Sequence, residues 1–130
     1  MNQVSVFKSV ISQVHTVKKG ETVSYNRSGI IKKESKIATI PVGYADGIDR
    51  RLGNGKWYFL INGQKAYTIG NICMDMCMVD ITNIDAKESD EVIVFGPINN
   101  LNLMADILGT IPYEVISGIS QRVKLIYTEE

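Results

Sequence analysis

The dipeptide Asn62-Gly63 constrains this chain more than any other feature. It sits between two apolar runs in KWYFLINGQKAYTIG, residues 56 to 70. A type I′ turn needs positive φ at both central residues, and Asn followed by Gly meets that need. The stretch therefore predicts a β-hairpin. The same pattern governs most of the chain. In VSVFKSVISQVHTV, residues 4 to 17, Val4, Val6, Lys8, Val10, Ser12, Val14 and Thr16 share one parity. Alternation rich in β-branched residues suits a half-buried strand. KKGET is a turn, and TVSYN resumes as a strand. KIATIPVG, residues 36 to 43, is a compact apolar strand ended by Pro41 or Gly43. YADGIDRRLGNG is loop-like, because Asp46-Gly47 and Asn54-Gly55 are strong turn pairs. NICMDMCMVDI predicts another strand, and DAKESDEVIVFG predicts a polar turn leading into a strand over Glu91 to Phe95.

The last third changes period. NNLNLMADILGT places Leu101, Met104, Ala105 and Leu108 at helical spacing, with Asn100 or Asn102 as N-cap and Gly109 as the stop. IPYEVISGIS suits a short helix with Pro112 in its first turn. QRVKLIYT closes as a strand. The expected class is mainly β: a barrel-like antiparallel β domain with one or two short helices near the C-terminus.

Size and charge narrow the function. A chain of 130 residues is one domain by size and can bury a core without disulfides. Lys plus Arg equals Asp plus Glu at 14 each, which argues against a general nucleic-acid binder. No apolar run approaches the roughly 18 to 20 residues that span a bilayer, so no membrane partner is expected. The N-terminus alternates and shows no small-residue cleavage site, so no signal peptide is read there. Two cysteines without a dense disulfide pattern fit a reducing cytoplasm.

The chemistry concentrates in YTIGNICMDMCMVDI, residues 67 to 81, which holds both cysteines and three of the five methionines. On a strand, Cys73 and Cys77 would share a face about 13 Å apart. That is too far for a disulfide, and the only histidine, His15, is distant in sequence. They read as buried free thiols, and no metal site is expected. Strand parity would put Ile72, Met74, Met76 and Met78 on one face, with Cys73, Asp75, Cys77 and Val79 on the other. Asp75 then needs a partner, either backbone donors at the strand's start or a ligand.

Three tyrosines are further candidates, each with a plain packing alternative. Tyr25 could act as a base if a cation such as Arg27 favoured its phenolate. Tyr44 stands beside two glycines where a strand runs into a turn. Tyr113 stands at a helix start, a place that tolerates phosphate. Arg50 and Arg51 could bind an anion, although such pairs are commonly solvated surface. No phosphate-binding glycine loop and no nucleophile elbow is present.

Four segments in order carry a resemblance: SVFKSVISQVHTVKKGETVSYN, IATIPVGYADGIDRRL, INGQKAYTIGNICMDMCMVDIT and PYEVISGISQRV. The chain resembles the C-terminal domain of alanine racemases over about residues 5 to 126. G-E-x-V-S-Y, G-Y-A-D-G and I-C-M-D in that order are specific together. The resemblance implies a two-domain enzyme that uses pyridoxal 5′-phosphate. Its N-terminal (β/α)8 barrel, absent from this chain, carries the Schiff-base lysine. Residues 1 to 130 are then the β domain alone, expected to be inactive by itself.

The resemblance further implies a two-base racemisation of L- and D-alanine that supplies D-alanine for peptidoglycan. Tyr25 is the tyrosine base, given in trans within a homodimer. Met74 offers its backbone N–H to the substrate carboxylate, Asp75 orders the pocket beside it, Tyr44 lines the substrate entrance, and Tyr113 contacts the cofactor phosphate. Two departures bear on the entrance. This chain reads NRSGII after the tyrosine, where many relatives have an aromatic residue. It has Asn71 where many have Arg. The other readings left open are a freestanding β domain for binding or assembly, and a racemase for another amino acid such as serine.

Overall fold

The computed structural model describes residues 3–18, 22–23, 29–30, 34–99, 101–110 and 126–129. Ten strands and one α-helix occur among them. In chain order the strands are β1 Gln3–Val10, β2 Gln13–Val17, β3 Thr22–Val23, β4 Gly29–Ile30, β5 Ser35–Ile40, β6 Tyr58–Ile61, β7 Gln64–Tyr67, β8 Cys77–Asp80, β9 Glu91–Phe95 and β10 Ile126–Glu129. The helix, α1, spans Leu101–Leu108. A five-stranded sheet has the order β10-β1-β9-β6-β7, a three-stranded sheet has the order β2-β5-β8, and β3 pairs with β4. Every pairing is antiparallel.

The hairpin forms where Asn62-Gly63 predicts it. Tyr58 pairs with Tyr67 and Ile61 with Gln64 across the turn. Asn62 and Gly63 have φ of 52° and 76°, the left-handed values that a type I′ turn requires.

The long strand expected over residues 4 to 17 is two strands. The chain changes sheets at Ile11 and Ser12. Ile11 donates its N–H to the Asp90 carbonyl at 3.0 Å and accepts from Ser89, whereas Ser12 donates to the Thr39 carbonyl at 2.9 Å. One residue faces the β9 side and the next faces β5, so the ladder cannot run through. On the far side, a bridge between Thr68 and Val79 joins the end of β7 to β8. The two sheets thus wrap around one core and stop short of closing, which makes the domain barrel-like in a loose sense.

That core contains Phe7, Ile11, Ile40, Trp57, Phe59, Ile61, Val79 and Phe95, all fully buried. The Phe7 and Phe95 rings meet edge to face at 5.6 Å, a favoured aromatic geometry. The Trp57 indole N–H donates to the Val94 carbonyl at 2.9 Å, so its one polar atom is satisfied inside.

Helix α1 packs Met104, Ala105 and Leu108 inward, as their spacing predicts. Gly109, with φ 71°, ends it. The Thr110 N–H reaches the Ala105 carbonyl and the Gly109 N–H reaches the Asp106 carbonyl, the two bonds of a Schellman cap. The second predicted helix, at 111–120, lies outside the described residues. No described helix is long and apolar enough to cross a membrane.

Candidate functional site

The segment from 71 to 76 corrects the sequence expectation. Only Cys77–Asp80 is strand. Before it the chain forms a tight turn in which the Cys73 N–H donates to the Met76 carbonyl at 2.9 Å. The turn exists because the carbonyls of Cys73 and Met74 are taken by another segment, not by a neighbouring strand. The Tyr44 N–H donates to Cys73 at 3.0 Å and the Ala45 N–H donates to Met74 at 2.9 Å.

Those two donors belong to a single 3₁₀ turn, Tyr44–Asp46, which follows β5. Its geometry depends on two residues of G-Y-A-D-G. Gly43 is pressed against the partner backbone: a Cβ there would lie 2.2 Å from the Cys73 carbonyl oxygen and 2.6 Å from the Met74 carbonyl carbon and oxygen. Asp46 is buried, and its Oδ2 accepts the Gly43 N–H at 3.0 Å. The Asp46 N–H in turn donates to the Gly43 carbonyl at 3.0 Å. The carboxylate supplies the half of a capping box that comes from the third residue of the turn, while Gly43, having no side chain, gives only its carbonyl.

The result is an open face. Tyr44 and Met74 are 45% and 56% exposed, too much for core residues, and Met76 is exposed beside them. Among the described residues, none accepts the Met74 N–H. Asp75 is exposed as well, so it does not occupy the half-buried strand face that parity assigned to it. The strand parity over 72 to 76 and the 13 Å separation of the cysteines both fall with the strand. Ile72 is buried while Met74 and Met76 are exposed, which strand alternation cannot produce.

The sequence reading did not separate Arg50 from Arg51, and the structure does. The Arg51 guanidinium grips Asp49 through Nε at 3.0 Å and Nη2 at 2.9 Å, and donates to the Leu108 carbonyl at the end of α1 at 3.1 Å. That pairing holds the Asp49 carboxyl below its ordinary range. Arg50 instead lies over the Tyr44 ring, 5.4 Å from its centroid, a cation–π contact on the open face. Sequence reasoning offered Arg50 only as half of a possible anion-binding pair and missed its place over Tyr44. Its only signal was a positive charge in the same loop as Tyr44.

Asn71 is held by Asn54, whose Nδ2 donates to the Asn71 Oδ1 at 3.0 Å. Asn54, with φ 55°, also donates its backbone N–H to the Gly70 carbonyl at 2.8 Å. The chain before the 73–76 turn is therefore fixed from the 50–55 loop. A cleft lined by Lys65, Tyr67, Asp80, Thr82, Asn83 and Ile84 lies at the β7–β8 edge and includes neither Tyr44 nor Met74.

Both thiols are free. Burial, and secondarily the nearby Cys73, push the Cys77 thiol from its ordinary 9.0 up to about 12. The sign follows from linkage. Below pH 9 both folded and unfolded chains keep the proton. Between 9 and 12 only the unfolded chain loses it, so stability falls with rising pH across that window, by up to about 1.4 kcal/mol per pH unit. Cys77→Val, of similar volume, should flatten this part of the stability–pH curve in urea titrations. Parallel wild-type and variant curves from pH 8 to 11 would refute it. Among the described residues, no group of three or more His, Cys, Asp or Glu side chains is placed to hold a metal. Tyr25, Arg27 and Tyr113 lie outside the described residues.

Comparison with known proteins matches this architecture and these motifs. The family described as "Alanine racemase, C-terminal domain" matches residues 4–127. An alanine racemase of Helicobacter acinonychis is 45% identical over 131 aligned positions, which cover 98% of this chain and 34% of that protein. Among solved structures, an alanine racemase of Clostridium difficile in complex with cycloserine superposes with a TM-score of 0.84 at 38% identity. It covers 95% of this chain and 36% of that one. The alanine racemase of Bartonella henselae with covalently bound pyridoxal phosphate gives a TM-score of 0.85 at 34% identity, covering 90% of this chain and 33% of that one. The chain spans about a third of the length of the curated relatives it matches. With an antiparallel β fold, a family match over nearly its whole length and close structural relatives, the chain belongs to the alanine racemase C-terminal domain family.

Proposed function

We propose that residues 1 to 130 form the C-terminal domain of a pyridoxal-phosphate-dependent alanine racemase. The domain supplies one wall of a site that interconverts L- and D-alanine. The observation that carries this reading is the Met74 amide, a donor without an acceptor among the described residues, on an exposed residue in a turn braced by G-Y-A-D-G. Such a donor suits a substrate carboxylate. Tyr44, with Arg50 over its ring, forms the adjoining part of the entrance, and the exposed Asp75 stands next to Met74, where it would help order the pocket. The parent enzyme is a cytoplasmic homodimer whose product feeds peptidoglycan synthesis.

The described residues fit one side of a cofactor site and not a whole one. They offer an amide donor, an aromatic and a guanidinium on an open face, and no enclosing walls. The barrel domain would hold the cofactor through its lysine, and Tyr113 would meet the phosphate. When bound there, pyridoxal phosphate supplies the electron sink that makes the alanine Cα–H removable. This chain's residues do the rest on their side. Met74 fixes the carboxylate, Tyr44 and Arg50 restrict entry, and Tyr25 exchanges a proton with one face of Cα across the dimer.

The test is to join the domain to its barrel, load pyridoxal phosphate and follow L-to-D conversion of alanine and of serine side by side. Alanine should turn over faster, and the 130-residue chain alone should turn over neither. A folded, loaded enzyme that leaves both amino acids unchanged would overturn the racemase reading. One that prefers serine would correct the substrate.

A further inference from the structure

We infer that Asp46 is a positioning residue for the Met74 amide. The inference rests on the proposed role of that amide. Asp46 does not reach the open face: it is buried, 8% exposed, below the turn. Its effect runs through three linked contacts. The carboxylate holds the Gly43 N–H at 3.0 Å and so fixes the entry of the 3₁₀ turn. The fixed turn aims the next two N–H groups, of Tyr44 and Ala45, at the Cys73 and Met74 carbonyls at 3.0 and 2.9 Å. Those two carbonyls flank the Met74 residue on the chain. With both oriented inward, and with the Cys73 N–H closed onto the Met76 carbonyl, the peptide plane carrying the Met74 N–H has no freedom to swing. The carbonyl of that plane is the one Tyr44 holds, so its N–H points away from the 43–47 turn.

The same clasp ties two functions together. Tyr44 contributes its backbone to the brace and its ring to the entrance, so one carboxylate sets both the entrance ring and the carboxylate donor. A loose turn would displace both at once. Substrate positioning is sensitive to such shifts, where about 1 Å can cost about 100-fold.

Hydrogen exchange on the 130-residue chain provides a readout independent of activity. In Asp46→Ala the amides of Gly43, Tyr44 and Ala45 should exchange at least about tenfold faster. Those of Leu60 and Val92 in the β6–β9 ladder should stay within about twofold, and the Met74 amide resonance should move. Asp46→Asn keeps an acceptor oxygen for Gly43 without the charge, and should retain the Tyr44 and Ala45 protection. In the enzyme joined to its barrel, Asp46→Ala should raise KM for alanine about tenfold with kcat changed less than about threefold, and Asp46→Asn should restore KM.

Unchanged Tyr44 and Ala45 protection in a folded Asp46→Ala chain would overturn the inference. So would protection lost evenly through β6–β9, which would mark Asp46 as a residue of global stability. Should Asp46→Ala not fold, Asp46→Ser, whose shorter hydroxyl acceptor falls short of Gly43, is read by the same criteria. If the unsubstituted joined enzyme turns over neither alanine nor serine, the racemase reading falls, and the exchange data still judge the clasp.

Discussion

Tyr25→Phe in the enzyme joined to its barrel should lower L-to-D alanine conversion by about 10²- to 10⁴-fold, the range expected when a positioned general base is removed. The loss should be directional at the level of the proton. Two bases on opposite faces of Cα each serve one enantiomer, so removing one leaves the other in place. In deuterated water, one enantiomer should still wash its Cα proton out at close to the wild-type rate, while the other should not. KM for alanine should change little, because the role proposed for the tyrosine hydroxyl is on the reacting proton, while holding the carboxylate is the role proposed for the Met74 amide. Conversion and washout are read together by polarimetry and NMR. Undiminished conversion in Tyr25→Phe would remove Tyr25 from the mechanism and leave the family placement of the domain standing.

Gly43→Ala should be strongly destabilising. The added carbon would meet backbone atoms of Cys73 and Met74 at 2.2 to 2.6 Å, and neither can rotate away as a side chain could. The 43–47 turn must separate from the 73–74 peptides, which breaks two backbone hydrogen bonds and opens the brace under Met74. Overpacking of this kind costs about 1–3 kcal/mol and occasionally more, and the lost bonds add about 0.5–1.5 kcal/mol each. A loss of about 2–6 kcal/mol in urea unfolding is therefore expected.

Gly63→Ala makes the comparison informative. Nothing lies within 4 Å of a Cβ at Gly63, and only its φ of 76° opposes the change. That costs about 1–2 kcal/mol. Equal losses at the two positions would show that the close approach at Gly43 is not what holds the site.

The strands, the hairpin and the helix were legible in the sequence because each follows from neighbours in the chain. Asn62-Gly63 sets its own φ values, and Met104, Ala105 and Leu108 share a face by spacing alone. Gly109 stops α1 because only a residue at ease with positive φ can close the Schellman cap. The order of the G-E-x-V-S-Y, G-Y-A-D-G and I-C-M-D motifs carried the family.

Two features were decided only when distant segments met. The first is the break at Ile11 and Ser12. Each residue has an apolar or β-compatible pattern, and only the positions of Asp90 and Thr39 send consecutive amides to different sheets. The second is the 71–76 turn. Its period-2 pattern reads as a strand because alternation records side chains and is blind to where the backbone carbonyls go. Tyr44 and Ala45, almost thirty positions earlier, capture those carbonyls. A strand needs its hydrogen-bonding groups free for a ladder, and here they were already engaged. Neighbouring residues alone thus specify a β domain with these motifs, whereas contacts between distant segments make I-C-M-D a braced turn, exposed at Met74 and Asp75, whose Met74 amide has no acceptor among the described residues.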